Sequence, residues 1–85
     1  MGKSNNTCLL PEARLAAVRR TLGAEIRDRR RAAGLSQADL GRPLTRAYVG
    51  MLEAGQTLPS IPALILIAER LGMTADELIR VVNGS

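Results

Sequence analysis

The sequence is almost devoid of aromatic residues, with one Tyr, no Phe and no Trp among 85 residues. A core must therefore be built from Leu, Ile, Val and Ala. The chain is rich in good helix formers and poor in β-branched alternation, which favours packed helices over a sheet. The length allows one domain at most, and a chain this small often gains stability from a partner subunit.

Histidine is absent, and Cys8 is the single cysteine. The commonest metal ligand and the commonest general base are thus both missing, and neither an internal disulfide nor a Cys-based zinc cluster is possible. The acids Asp39, Glu53, Asp76 and Glu77 have structural explanations in capping and pairing. We therefore expect no enzyme, no metal, no cofactor and a reduced, intracellular setting.

Long hydrophobic segments are also absent. The longest apolar run covers residues 63–68 and is far too short to span a bilayer. Glu12 and Arg14 interrupt the short apolar stretch after Cys8, so no signal peptide is visible. We expect a cytoplasmic protein without membrane contact.

Charge is abundant and unevenly distributed. The net charge is +4, with residues 1–35 carrying eight Lys or Arg against three acids, and the remainder carrying four against five. Nearly all of the basic charge is Arg, which suits bidentate phosphate contacts. Alone, such a run is equally well explained as a solvated helix face. Only where a motif that binds nucleic acid lies beside it does such a charge distribution favour nucleic acid as a partner.

The first third of the chain predicts a tail followed by helix. Residues 1–10 have no helical period and are expected to form a flexible tail, so that residues 11–85 make the single domain. Pro11 suits a first helical turn. One long helix over residues 11–33 or two helices joined near residues 21–23 both fit. We favour two helices, or one bent helix, because Thr21 could cap the second and Gly23 weakens continuity. One apolar face recurs at helical spacing in this segment, at Leu15, Val18, Leu22 and Ile26.

Each later junction carries a cap or a breaker. Four further helices are expected, over residues 37–42, 46–54, 61–71 and 75–82, which gives an all-α fold. The caps are Ser36, Thr45, Ser60 and Thr74, the last paired with Glu77 in a capping box. The breakers are Gly34, Pro43, Gly55 and Gly72.

A set of motif residues follows these helices in order. The set comprises Arg30, Leu35, Ser36, Gln37, Leu40, Thr45, Tyr48, Val49, Leu52, Glu53, Gly55, Pro59, Ser60, Leu64, Ile67, Ala68, Leu71, Thr74 and Leu78. Residues 22–79 thereby resemble the helix-turn-helix family of phage repressors and Cro proteins, also called the xenobiotic-response-element type. The resemblance implies a compact five-helix domain with a helix-turn-helix at about residues 36–54, here with an extra N-terminal helical segment. It also implies a sequence-specific DNA-binding regulator of transcription, and more particularly a repressor.

One departure concerns the turn between the second and third helices. The family usually has two more residues between Gln37 and Glu53. Here residues 41–44 replace a longer helix end, and Pro43 makes the break. We therefore expect a shortened second helix.

The resemblance implies that the third helix reads DNA. The implied base contacts are Thr45, Arg46, Ala47, Gly50 and Met51, at the start and along one face of that helix. Arg46 is the only long donor among them and could bind guanine O6 and N7, although contact with phosphate alone is nearly as plausible. Ala47 or Met51 could contact a thymine methyl group.

Phosphate contacts are expected around this helix. Ser36 and Gln37 lie at a helix N-terminus, where free N–H groups attract an anion, although simple capping also explains them. The loop after Gly55 has no Lys or Arg, so nearby arginines are expected to supply the charge. The full set of expected phosphate contacts is Arg27, Arg30, Arg31, Ser36, Gln37, Arg42, Tyr48, Gln56 and Thr57.

Two internal contacts are also implied. The resemblance pairs Arg30 with Glu53, tying the first helix to the end of the third; the alternative is two independent surface charges. Val49 and Leu52 are expected to face the core.

The fourth and fifth helices have more apolar surface than one core needs. We therefore predict a homodimer, with Leu15, Val18, Ile79 and Val82 as interface candidates. Such a dimer would read a near-palindromic operator with half-sites roughly 34 Å apart. Two alternatives remain: an antitoxin that binds both DNA and a toxin, and a protein-interaction adaptor that has lost DNA binding.

Overall fold

The computed structural model describes residues 10–83, so most of the tail expected over residues 1–10 lies outside the described residues. The described part forms five helices and no strand: α1 (Glu12–Ala32), α2 (Gln37–Gly41), α3 (Arg46–Glu53), α4 (Ile61–Arg70) and α5 (Ala75–Asn83). The predicted all-α, five-helix fold is confirmed. The extra N-terminal segment is the first part of α1 itself.

α1 runs unbroken for 21 residues, so the break expected at residues 21–23 is wrong. Gly23 is buried where α1 crosses the end of α3, and a Cβ there would lie 2.8 Å from the carbonyl oxygen of Glu53. Glycine in a helix costs about 1 kcal/mol relative to Ala. Here that cost is offset by the close approach of two backbones. The glycine therefore marks a helix crossing and not a joint.

The predicted caps are present at four helix starts. The hydroxyls of Ser36, Thr45, Ser60 and Thr74 each accept a hydrogen bond from the N–H three residues later, at 3.0–3.2 Å. Glu77 completes the capping box by accepting from the Thr74 N–H at 2.9 Å. Glycines with positive φ follow α1, α3 and α4, as is usual for helix C-termini: Gly34, Gly55 and Gly72.

α2 has only five residues, as the break at Pro43 predicts. The Arg42–Pro43 peptide bond is cis. Arg70 of α4 closes the end of this short helix, because its Nη1 donates to the carbonyl oxygens of Asp39 at 2.9 Å and Leu40 at 3.2 Å. These carbonyls lie in the last turn of α2, where no later N–H group of the helix is available to donate to them. α2 is thus fastened to α4 at its C-terminal end.

One core draws on all five helices. α1 packs on α3 and α5, α2 packs on α3 and α4, and α4 packs on α5. The core cluster contains Val49 and Leu52 together with Leu40, Leu64 and Ile67, as predicted. Its other buried members are Leu22, Ile26, Ala68 and Leu78. The apolar surface of α4 is only partly covered, since Ile61 is 66% exposed and Ile65 is 43% exposed.

Candidate nucleic-acid interface

The outward face of α3 carries the predicted base-contact residues. Arg46, Ala47 and Met51 are exposed, and Gly50 is half-buried between them. Thr45 is exposed at the N-cap, where its hydroxyl accepts from the Tyr48 N–H at 3.1 Å. Val49 and Leu52 occupy the opposite, buried face. The structure therefore brings all five residues to one surface, with Arg46 as its only charged side chain.

Gln37, in the first turn of α2, lies against the middle of α3. Its Nε2 donates to Glu53 Oε1 at 3.1 Å. A Cβ on Gly50 would lie 3.8 Å from both amide heteroatoms of Gln37, so the glycine leaves this side chain ample room. Ser36 is exposed as the α2 cap. The Gln37 amide is thus held in a fixed position beside the outward face of α3.

The half-buried Arg30 and the buried Glu53 form a two-pronged ion pair. Arg30 Nε lies 2.6 Å from Glu53 Oε2, and Nη2 lies 3.0 Å from Oε1. The Arg30 Nη1 donates to the Leu35 carbonyl at 2.9 Å. Only 12% of the Arg30 side chain and 4% of the Glu53 side chain are exposed. The hydrogen bond to Glu53 raises the pKa of Arg30 above its ordinary value, against an opposing effect of burial. The two residues are therefore not independent surface charges.

Tyr48 joins α3 to the start of α4. Its ring packs against the core, and its hydroxyl oxygen accepts a hydrogen bond from the Ser60 N–H at 3.3 Å. The hydroxyl hydrogen remains available to an outside acceptor. In the intervening loop, Gln56 is exposed, and the Thr57 hydroxyl donates to the neighbouring Leu58 carbonyl at 3.4 Å.

The predicted phosphate-contact arginines differ in how they are already engaged. Arg31 is exposed, and no carboxylate within residues 10–83 pairs with it. Arg27 is half-buried, and its Nε is buried without a hydrogen-bond acceptor. Arg42 is exposed and pairs with Asp39 at 3.3 Å, a contact typical of weak surface pairs. Arg30 is committed to Glu53.

Two arginines make contacts that the sequence analysis did not predict. Arg70 holds the end of α2 from 30 residues away, and no local pattern indicates such a contact. Arg20 lies beside the turn after α3, where its Cα and Cγ would each be 3.2 Å from a Cβ on Gly55. The spacing of seven residues between Arg20 and Arg27 was the available signal, because it places both on the same side of a helix.

The described residues hold neither a metal-binding cluster nor a membrane-spanning helix. Residues 10–83 contain no group of three or more His, Cys, Asp or Glu side chains placed to hold a metal ion. None of the described helices is long and apolar enough to cross a membrane.

α2 and α3 are two short helices with capped N-termini. α2 is held against the core, and α3 presents an exposed face. Together they define a helix-turn-helix domain of the DNA-binding class. A family model described as a helix-turn-helix domain matches residues 21–81. The chain belongs to this family. Neither the curated proteins nor the solved structures yielded a match.

Proposed function

We propose that the protein is a sequence-specific double-stranded DNA-binding regulator of the Cro and phage-repressor type, acting as a repressor. The observation that carries the proposal is the outward face of α3, beside which the first turn of α2 holds the Gln37 amide. A capped helix N-terminus beside a reading helix is the arrangement by which such domains engage phosphate and base edges together. The motif residues shared with phage repressors support repression.

Base selection rests on Arg46 in this proposal. Arg46 lies in the first turn of α3, is exposed, and has no carboxylate partner within residues 10–83. A free guanidinium at the start of a reading helix can bind guanine in the two-pronged mode. Ala47 and Met51 add apolar contacts suited to a thymine methyl group.

Phosphate binding rests on Ser36, Gln37 and the neighbouring loop. Glu53 holds the Gln37 amide by one N–H, which leaves the second N–H and the carbonyl oxygen free. Tyr48 likewise retains its hydroxyl hydrogen after accepting from Ser60. Because these donors are fixed before DNA arrives, little conformational entropy is lost on binding.

A homodimer completes the proposal, because three of the four interface candidates lie together. Val18, Ile79 and Val82 line one apolar cleft of about 180 Å³, and Leu15 lies one helical turn before Val18. The exposed Ile61 and Ile65 flank Leu64, which also lines the cleft. Burying this surface would supply part of the roughly 800 Å² per partner that a specific dimer needs. A symmetric dimer would read two half-sites about 34 Å apart.

An antitoxin is the second candidate. The first ten residues of α1, 12–21, include no buried residue and carry the half-buried Leu15. This helix end and the apolar cleft offer a surface for a toxin. Co-purification of the full chain with a small toxic protein would favour this candidate over a free repressor.

The proposal is tested by selecting bound duplexes from a random DNA library and titrating the selected site with salt. A steep fall of affinity with salt is expected, because several phosphates are contacted. Weak affinity that is flat across salt would refute DNA binding and favour the adaptor function.

Single substitutions separate the role proposed for Arg46 in base selection from the role proposed for Gln37 in phosphate binding. Arg46→Ala should relax preference at one base position by about 1–3 kcal/mol, whereas Gln37→Ala should weaken all sequences alike. Arg80→Ala, on the exposed side of α5, is the control and should change neither. An unchanged preference in Arg46→Ala would remove Arg46 from the reading surface.

A further inference from the structure

Three arginines form a line along one side of α1. Arg20, Arg27 and Arg31 are spaced by seven and four residues, which at about 100° per residue keeps them within roughly 40° of one another around the helix. At about 1.5 Å per residue they span roughly 16 Å. We call these three residues the α1 arginine line. Arg20 belongs to the part of α1 that precedes the residues matched by the family model.

The line is set apart from the other arginines of α1 by its lack of internal counter-charges. Three arginines on other sides of the helix are paired: Arg19 with Glu12, Arg29 with Glu25 and Arg30 with Glu53. None of the three members of the line has a carboxylate within 4.0 Å among residues 10–83, and the exposed Asp28 pairs with none of them. Arg20 and Arg31 are exposed and Arg27 is half-buried, so the charge of the line is not neutralised by a carboxylate among residues 10–83.

The position of the line relates it to the reading helix. The backbone of Arg20 packs beside Gly55, the turn that follows α3 and leads into Gln56 and Thr57. One turn beyond Arg27, Arg30 binds Glu53 at the last residue of α3. The line thus runs past the C-terminal end of α3 and past a loop that has no basic residue of its own.

Arg27 adds an independent observation. Its Nε is buried without an acceptor, which is an unfavourable state for a donor. In the present rotamer the Nε is closed to solvent, so an external anion would reach it only after the side chain turns outward. Such a change of rotamer would break no hydrogen bond with a residue in the range 10–83.

We propose that the α1 arginine line binds backbone phosphates of DNA beside the half-site read by α3, and so lengthens the contacted strand beyond the helix-turn-helix. This inference rests on the proposed DNA-binding function. It assigns a contact to Arg20 and gives the first half of α1 a role. Because the contacts go to phosphate, they add affinity and salt dependence without adding base preference.

The test measures affinity for a selected duplex between 50 and 200 mM salt. Arg20→Gln should make the slope of log K against log salt shallower by about 0.9, which reduces the affinity lost over this range by about threefold. Arg20→Lys keeps the charge and should restore the slope. Arg14→Gln is the matched control, since Arg14 is also exposed and has no carboxylate partner among the described residues, but lines a cleft on another side of α1 with Val82.

The outcomes separate this inference from the function on which it rests. If wild type binds with a steep salt dependence and Arg20→Gln has the same slope, the inference is wrong while DNA binding stands. The same conclusion follows if Arg14→Gln changes the slope as much as Arg20→Gln does. If wild type itself shows no salt-dependent binding, both fail. Far-UV circular dichroism of each variant checks that α1 remains helical.

Discussion

Removing the Glu53 carboxylate is the most incisive perturbation of this fold. Glu53 is the one buried charged residue within residues 10–83. Its carboxylate accepts three hydrogen bonds, two from Arg30 at 2.6 and 3.0 Å and one from Gln37 at 3.1 Å. Glu53→Ala would leave a guanidinium that is 12% exposed without its counter-charge, and an amide without its acceptor.

The expected loss is large relative to the whole stability of such a domain. Breaking a buried pair by removing one partner costs about 3–5 kcal/mol, because the remaining charge stays buried and unpaired. Small domains have about 5–15 kcal/mol in total. Arg30 cannot escape by losing its proton, since an arginine stays charged at any usable pH. Glu53→Leu combined with Arg30→Met removes both charges and should recover most of the loss.

Urea unfolding followed by circular dichroism measures the loss in the free energy of unfolding. If the dependence of that free energy on urea concentration is the same in each variant, the unfolded states are comparable. Glu12→Ala is the matched control, because it removes the partner of Arg19 from a pair in which Glu12 is 76% exposed. Exposed pairs contribute about 0–1 kcal/mol. If Glu53→Ala costs no more than Glu12→Ala, the Arg30–Glu53 pair does not hold the helices as argued.

Two further predictions concern α1. Gly23→Ala should destabilise the fold by about 1–3 kcal/mol in urea unfolding despite the better helix propensity of Ala, because its Cβ would meet the Leu52 and Glu53 carbonyls. A stability equal to wild type would contradict the close crossing. The pH prediction follows from the raised pKa of Arg30: its stabilising contribution is fully present below the ordinary pKa and is lost as the pH rises from the ordinary to the raised value. The stability difference between wild type and Arg30→Met should therefore be the same at pH 7 and pH 10, and a difference that shrinks over this interval would count against the pair.

The helix starts were predictable because their signals are local. A hydroxyl that accepts from the N–H three residues later is visible in the sequence as a Ser or Thr before an apolar run, as at Ser36, Thr45 and Ser60. Pro43 likewise ended α2 as expected, because its ring restricts the residue before it. The sequence therefore indicated α2, α3 and α4 to within one residue at either end.

The contacts that the sequence did not predict share a different cause, since each joins residues that are far apart in the chain. Gly23 was interpreted by its low helix propensity, but its reason for being glycine is the carbonyl of Glu53, 30 residues away. Arg70 satisfies the carbonyls of Asp39 and Leu40 over a similar distance. Arg20 lies beside Gly55 for the same kind of reason. Such contacts depend on where helices cross, which composition and spacing along one helix do not specify.

The position of Glu53 joins stability to DNA binding in a way that the motif alone does not reveal. Glu53 is the last residue of α3, and its carboxylate accepts two hydrogen bonds from the guanidinium of Arg30 on α1. One of the two carboxylate oxygens, Oε1, also accepts from the Gln37 amide on α2. One carboxylate therefore fixes the position of the Gln37 amide, the proposed phosphate contact, relative to the outward face of α3. Loss of the carboxylate should accordingly weaken binding to all sequences alike, whereas loss of the Arg46 guanidinium should change which sequence is preferred.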